Sequence, residues 1–250
     1  MTPHRIAALG AVSALIAAGC GHGAGEPALK VSAAASLKQA FGDYSQAPAA
    51  AGATFSFAGS DQLAAQIRQG ATPDVFAAAS TKLPHALFRA GLVARPVPFA
   101  TNRLVLAAGP GSRVHSLADA GRPGVKLAIG SATVPIGSYT RAVIARLDAA
   151  AGKRTLVNVR SSEPDASSIV GKLSQGGADA GFVYVTDVAA THGRLTGIEL
   201  PARLRPTAIY AAAVVKGSQR PARARAFIAG LLRGAGRSAL LRAGFGPPPQ

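Results

Sequence analysis

The chain has 250 residues, room for one large or two modest domains, with 48% hydrophobic residues, 5% aromatics and no Trp. So few rings leave no stacking platform for nucleic-acid bases. Lys+Arg number 27 against 11 Asp+Glu, a net charge of +16, but the cations are scattered rather than gathered into a basic arm, so the charge reads as a background attracting small anions and nucleic acid is not an expected partner.

The N-terminus reads as a targeting segment. His4 and Arg5 form a polar start, and residues 6–18 are an apolar run too short to span a bilayer. The run ends Ala17-Ala18-Gly19-Cys20, at the only cysteine, which rules out an internal disulfide. This pattern resembles a bacterial lipoprotein signal: residues 1–19 would be removed and Cys20 lipidated, with residues 20–27 as a flexible tether.

Beyond it, short apolar runs alternate with amphipathic stretches. Residues 29–35 read as a strand and 37–44 as a helix, with Leu37, Ala40, Phe41 and Tyr44 at helical spacing and Ser36 as its N-cap. Residues 53–58 alternate as a strand, 62–69 follow as a helix, 73–78 as a strand and 83–90 as a helix closed by Gly91. This βαβαβα order argues for an α/β fold with mainly parallel sheets. Residues 102–108 form an apolar strand leaving this unit. After Gly109-Pro110-Gly111 come a helical turn at 117–120, strands at 125–129, 156–159 and 180–184, and helices at 137–150 and 166–175. An apolar strand at 209–215 carries the chain back, and a helix over 221–232 with the stretch 238–244 covers the first unit. The expectation is two lobes, residues 28–103 with 209–250 and residues 104–208, joined by two crossings that imply a hinge and a cleft.

Open α/β sheets bind ligands at the carboxyl ends of their strands, where helix N-termini offer free N–H groups and a partial positive charge. Four junctions suit that role: Ser36; Gly59-Ser60-Asp61-Gln62; Val134-Pro135-Ile136-Gly137, where proline pre-organises a helix start and leaves the Ile136 amide free; and Pro164-Asp165-Ala166. Tyr184 ends the run Gly181-Phe182-Val183-Tyr184, where its phenol can act as a donor. Taken singly, the serines are caps and the tyrosine is core; together they describe a pocket of neutral donors. Asp61 favours the helix dipole from its position, and pointing inward it would repel a dianion.

From residue 29 to residue 246 the chain resembles the periplasmic molybdate-binding proteins of ABC importers. The resemblance is carried by Ala33-Ala34-Ala35-Ser36-Leu37, Ser56-Phe57-Ala58-Gly59-Ser60 with Leu63-Ala64-Ala65-Gln66-Ile67, Pro73-Asp74-Val75-Phe76, Val134-Pro135-Ile136-Gly137, and Ala180-Gly181-Phe182-Val183-Tyr184-Val185-Thr186-Asp187. It implies a type II periplasmic-binding-protein fold and an oxyanion held by the hydroxyls of Ser36, Ser60 and Tyr184 and the amides of Ile136 and Ala166. Molybdenum would enter only as molybdate through these residues, with no cofactor. It further implies a monomer that serves a membrane permease and its ATPase. Molybdate and tungstate are fully deprotonated at neutral pH, which suits donors alone, whereas phosphate keeps a proton and wants an acceptor. The alternatives are a receptor for sulfate, phosphate or another oxyanion, and a periplasmic hydrolase or sensor on the same scaffold.

Catalytic motifs are lacking. His4, His22, His85, His115 and His192 show no metal-ligand spacing. Gly171-Lys172 lacks the Gly and Ser/Thr of a phosphate loop, since Ala166 and Leu173 stand in their places, and no Gly-x-Ser-x-Gly elbow occurs. Glu163 and Asp165 are read as serving a helix dipole, and Asp74 and Asp187 as bonding loops at strand ends.

Overall fold

The computed structural model describes residues 27–249. The leader expected at 1–19, the lipidation expected at Cys20 and the expected tether up to residue 26 lie outside them.

Three parallel strands open the fold: β1 (Lys30–Ala34), with β2 (Thr54–Ala58) on one side and β3 (Val75–Ala78) on the other. The return strand β9 (Thr207–Val214) runs antiparallel to β3. The twelve-residue β4 (Val97–Ala108) pairs antiparallel with β9 through Arg103. From Leu104 onward β4 pairs instead with β7 (Ala180–Tyr184) and, along its other side, with β8 (Thr196–Glu199). Beyond β7 lie the parallel β5 (Leu127–Gly130) and β6 (Val159–Glu163). The result is a curled α/β sheet of two lobes, with β4 as one crossing and the entry to β9 as the other. β3 and β7 are buried along their whole length, which is why they read as unbroken apolar runs. Edge strand β2 is half-buried and alternates.

The helices are α1 (Lys38–Tyr44), α2 (Ser60–Arg68), α3 (Lys82–Arg89), α4 (Pro135–Ala145), α5 (Ala149–Val157), α6 (Ala166–Ser174), α7 (Val185–Ala189), α8 (Pro221–Leu232) and α9 (Ala235–Arg242). The first lobe is packed around Phe41, whose ring lies 5.4–6.3 Å from those of Phe55, Phe99 and Phe227. On its other face α2 and α3 bury Leu63, Ile67 and Leu87 with Phe76. Asp74 ties the sheet to the loop before α8: it accepts from the Lys30 amide at 2.7 Å, the Ser218 hydroxyl at 2.7 Å and Arg220 at 3.2 Å.

Several expected elements need correction. β4 begins at Val97, five residues before the expected strand, because Pro98 breaks the strand pattern; it is tolerated at a register shift between Pro98 and Ala100. The helix expected over 137–150 is two helices. Asp148 starts the second by accepting from the Ala151 amide at 2.8 Å, and the Ala-rich run that follows propagates it. That helix consumes Leu156 and Val157, 49% and 62% exposed, so the strand expected at 156–159 starts only at Val159. Ser36 does not cap α1. It lies inside a 3₁₀ turn (Ala35–Leu37) whose N-cap is Ala34, and its hydroxyl is used elsewhere. Helix α7 and strand β8 lie in a segment for which no element was expected.

Candidate functional site

The ends of β1, β2, β3, β5, β6 and β7 face one another across the lobes. They line a small, partly open cavity of about 20 Å³, above the size of one water. Ser36, Ser60, Ile136, Ala166 and Tyr184 all line it, together with Gly59, Ala79 and Asp165. Six chain segments, spread over some 150 residues, therefore converge on one point.

Each contributes through its junction. Ser60 opens α2 and is 2% exposed; its Oγ accepts from the Ala79 amide at 3.1 Å, at the end of β3. With a lone pair so occupied, the hydroxyl proton is left to donate toward the cavity. Ser36 Oγ lies 2.8 Å from the Tyr210 hydroxyl on β9. Ile136 follows Pro135 in the first turn of α4, where amides have no intrahelical partner. Gly130 and Gly137 make this junction tight: a Cβ on Gly137 would overlap the carbonyl of Ser131. Ala166 is the first residue of α6, whose cap Asp165 accepts from the Ser168 amide and hydroxyl at 2.8 and 3.0 Å. That engagement keeps the Asp165 carboxylate occupied at the helix end.

Tyr184 stands where β7 meets α7 and is 1% exposed. Its amide donates to Asp187 Oδ2 at 2.9 Å, and Asn102 on β4 donates to Thr186 at 2.9 Å, so the junction is held from both sides. The Tyr184 hydroxyl is buried and has no hydrogen-bond partner among the described residues. Burial, and then the neighbouring Tyr210, Tyr139 and Asp187, hold its pKa well above the usual tyrosine value. It therefore remains a neutral donor at physiological pH.

Sequence reasoning missed Tyr210. Its ring packs edge-on at 5.8 Å from Tyr184 and 5.2 Å from Phe245, and its hydroxyl bonds Ser36. Within an apolar strand it reads as core, and its partner is 174 residues away, so no local signal could have found it. Asp187, expected as a loop tie, holds the Tyr184 backbone. Asp61 does not line the cavity; it faces a separate interlobe space with Arg68 and Lys82.

No Lys or Arg lines the cavity among the described residues, and no group of three His, Cys, Asp or Glu among them is placed to hold a metal. The donors are hydroxyls and helix-start amides in a desolvated space, which favour an anion that carries no proton of its own. Glu163 accepts from Ser161 and pairs with Lys172 at 3.0 Å, away from this lining.

Comparison with known proteins places these features in context. The family described as bacterial extracellular solute-binding protein matches residues 29–246. The molybdate-binding protein ModA of Mycobacterium tuberculosis is 37% identical, over 95% of this chain and 94% of the relative. That of Haemophilus influenzae is 29% identical, over 93% and 96%. Among solved structures, the periplasmic molybdate-binding protein of Azotobacter vinelandii superposes with a TM-score of 0.78 at 22% identity, over 88% of this chain and all of that one.

Proposed function

The chain belongs to the bacterial extracellular solute-binding protein family, and from that premise we propose that it captures molybdate or tungstate between its lobes and delivers the anion to the permease of an ABC importer. It is a binding protein, not an enzyme, and it works outside the cytoplasm as its family does. In this reading the hydroxyls of Ser36, Ser60 and Tyr184 and the amides of Ile136 and Ala166 donate to the four oxygens. Each buried bond to the charged acceptor contributes about 1.5–3 kcal/mol. The lobes close on the ligand as hinged binding proteins do, the protein acts as a monomer, and Cys20 anchors it to the membrane through lipid.

The observation that carries the reading is the Tyr184 hydroxyl, a buried donor without an acceptor in a cavity free of cations. An unsatisfied buried hydroxyl is costly, and a tetrahedral dianion supplies what it lacks. Titration calorimetry is the test. Molybdate should bind tightly and be displaced by tungstate, but not by sulfate or phosphate. Heat with sulfate or phosphate alone would make this a receptor for another oxyanion, and no heat with any of the four would refute the assignment. Acyl labelling of the full chain in cells, lost in Cys20→Ser, tests the anchor.

A further inference from the structure

One carboxylate at the seam between the lobes has no part in the binding scheme. Asp61 is the second residue of α2, directly after Ser60. Its Oδ1 is buried without a hydrogen-bond partner, and Tyr184 is the only other described residue with a side-chain polar atom so stranded. The carboxylate leans back over Gly59. A Cβ built on Gly59 would sit 2.9 Å from Asp61 Oδ1 and would overlap the carbonyl oxygen of Pro164. Gly59 and Asp61 follow β2, whereas Pro164 follows β6. When the lobes meet, two acceptors, one of them charged, are thus pressed against the same small patch with no donor between them. On its outer side Asp61 shares a wider space with Arg68, Lys82 and, across the cleft, Thr133 and Ser138; none of them reaches Oδ1.

We propose that Asp61 sets the affinity of the oxyanion site from outside it, as a charge that closure leaves unpaired. This inference rests on the oxyanion reading. With the lobes apart, water solvates the carboxylate and the N-terminus of α2 favours it. Closure takes water from Oδ1 and gives that oxygen no partner, while the residue as a whole stays partly exposed, and stranding one oxygen of a charged group is unfavourable. A dianion in the adjoining cavity adds like-charge repulsion across a poorly screened gap. Asp61 therefore opposes the closed, loaded state and hastens release of the ligand.

The test compares the full protein with Asp61→Asn and Asp61→Ala by calorimetry with molybdate, and with phosphate in parallel. Asp61→Asn removes the charge and brings an amide donor toward the Pro164 carbonyl. It should bind molybdate at least five-fold more tightly, with slower dissociation, and Asp61→Ala should bind more tightly by a smaller factor. Unchanged molybdate affinity in both variants overturns the proposal. So does weaker binding, above all if the wild type takes phosphate and Asp61→Asn does not, because the carboxylate would then be an acceptor for a protonated ligand. If the wild type binds no oxyanion, the oxyanion reading fails by itself. Small-angle scattering of the ligand-free proteins then decides the role of Asp61: a smaller radius of gyration in Asp61→Asn supports a closure penalty, and equal radii overturn it.

Discussion

Removing one oxygen atom, in Tyr184→Phe, separates a ligand-binding hydroxyl from a structural one. The Tyr184 hydroxyl is buried and unpartnered, while its ring is fixed by packing edge-on against Tyr210 at 5.8 Å. Phenylalanine keeps that ring contact. With the lobes together the substitution deletes an unsatisfied buried polar group, whose desolvation costs about 1–3 kcal/mol, and with the lobes apart, as in the ligand-free protein, it deletes a hydroxyl that meets water. Stability should therefore hold or rise, by about 2–4 °C in melting temperature per kcal/mol for a chain of this size. In the complex it deletes one hydrogen bond to a charged acceptor, about 1.5–3 kcal/mol, or roughly 10- to 150-fold in Kd. The signature is thus opposite in sign for binding and for folding. Calorimetry with molybdate and thermal denaturation without it, on the same preparation, read both. Wild-type affinity would refute the reasoning, and so would a parallel loss of affinity and stability, which would make the hydroxyl a structural partner.

Other expected outcomes follow from the same geometry. Gly59→Ala places a methyl against the Pro164 carbonyl of the opposite lobe; it should lose most of its molybdate affinity by calorimetry while its ligand-free melting temperature stays near that of the wild type. Ser60→Ala strips the Ala79 amide of its acceptor, so it should lose affinity and also about 1–3 kcal/mol of stability in urea denaturation. Burial pushes Asp187 up to about 7, against the opposing bond from the Tyr184 amide, whereas an unfolded aspartate titrates near 4. Between these values the unfolded state binds fewer protons than the folded one, so the Asp187 contribution falls as pH rises from about 4 to about 7. Asp187→Asn should flatten that decline when denaturation midpoints are compared at pH 5 and pH 7.5.

Much of the architecture is legible along the chain because its causes are local. Apolar runs such as residues 180–184 and helix starts marked by Pro135 or Pro221 depend on neighbours in sequence, as does the alternation of strands and helices. Ser36, Ser60, Ile136, Ala166 and Tyr184 can be singled out for the same reason: each stands at or shortly after the end of a strand, and a helix start exposes amides wherever it occurs. What the chain alone misjudges are places where a local preference is outvoted. Asp148 and its alanines carry α5 through Leu156 and Val157 despite their strand-like character, and the partner strand β9 accommodates Pro98 at a register shift. Ser36 has the chemistry of a cap, yet its hydroxyl pairs with that of Tyr210, 174 residues away.

Sequence by itself determined which residues can donate, because donor chemistry belongs to the side chain and the amide. Only the tertiary structure decided which donors are left without a partner. Whether the Tyr184 hydroxyl finds an acceptor, and whether the Asp61 carboxylate meets a donor or the Pro164 carbonyl, depends on the closing of two lobes built from distant segments. No local pattern encodes that meeting.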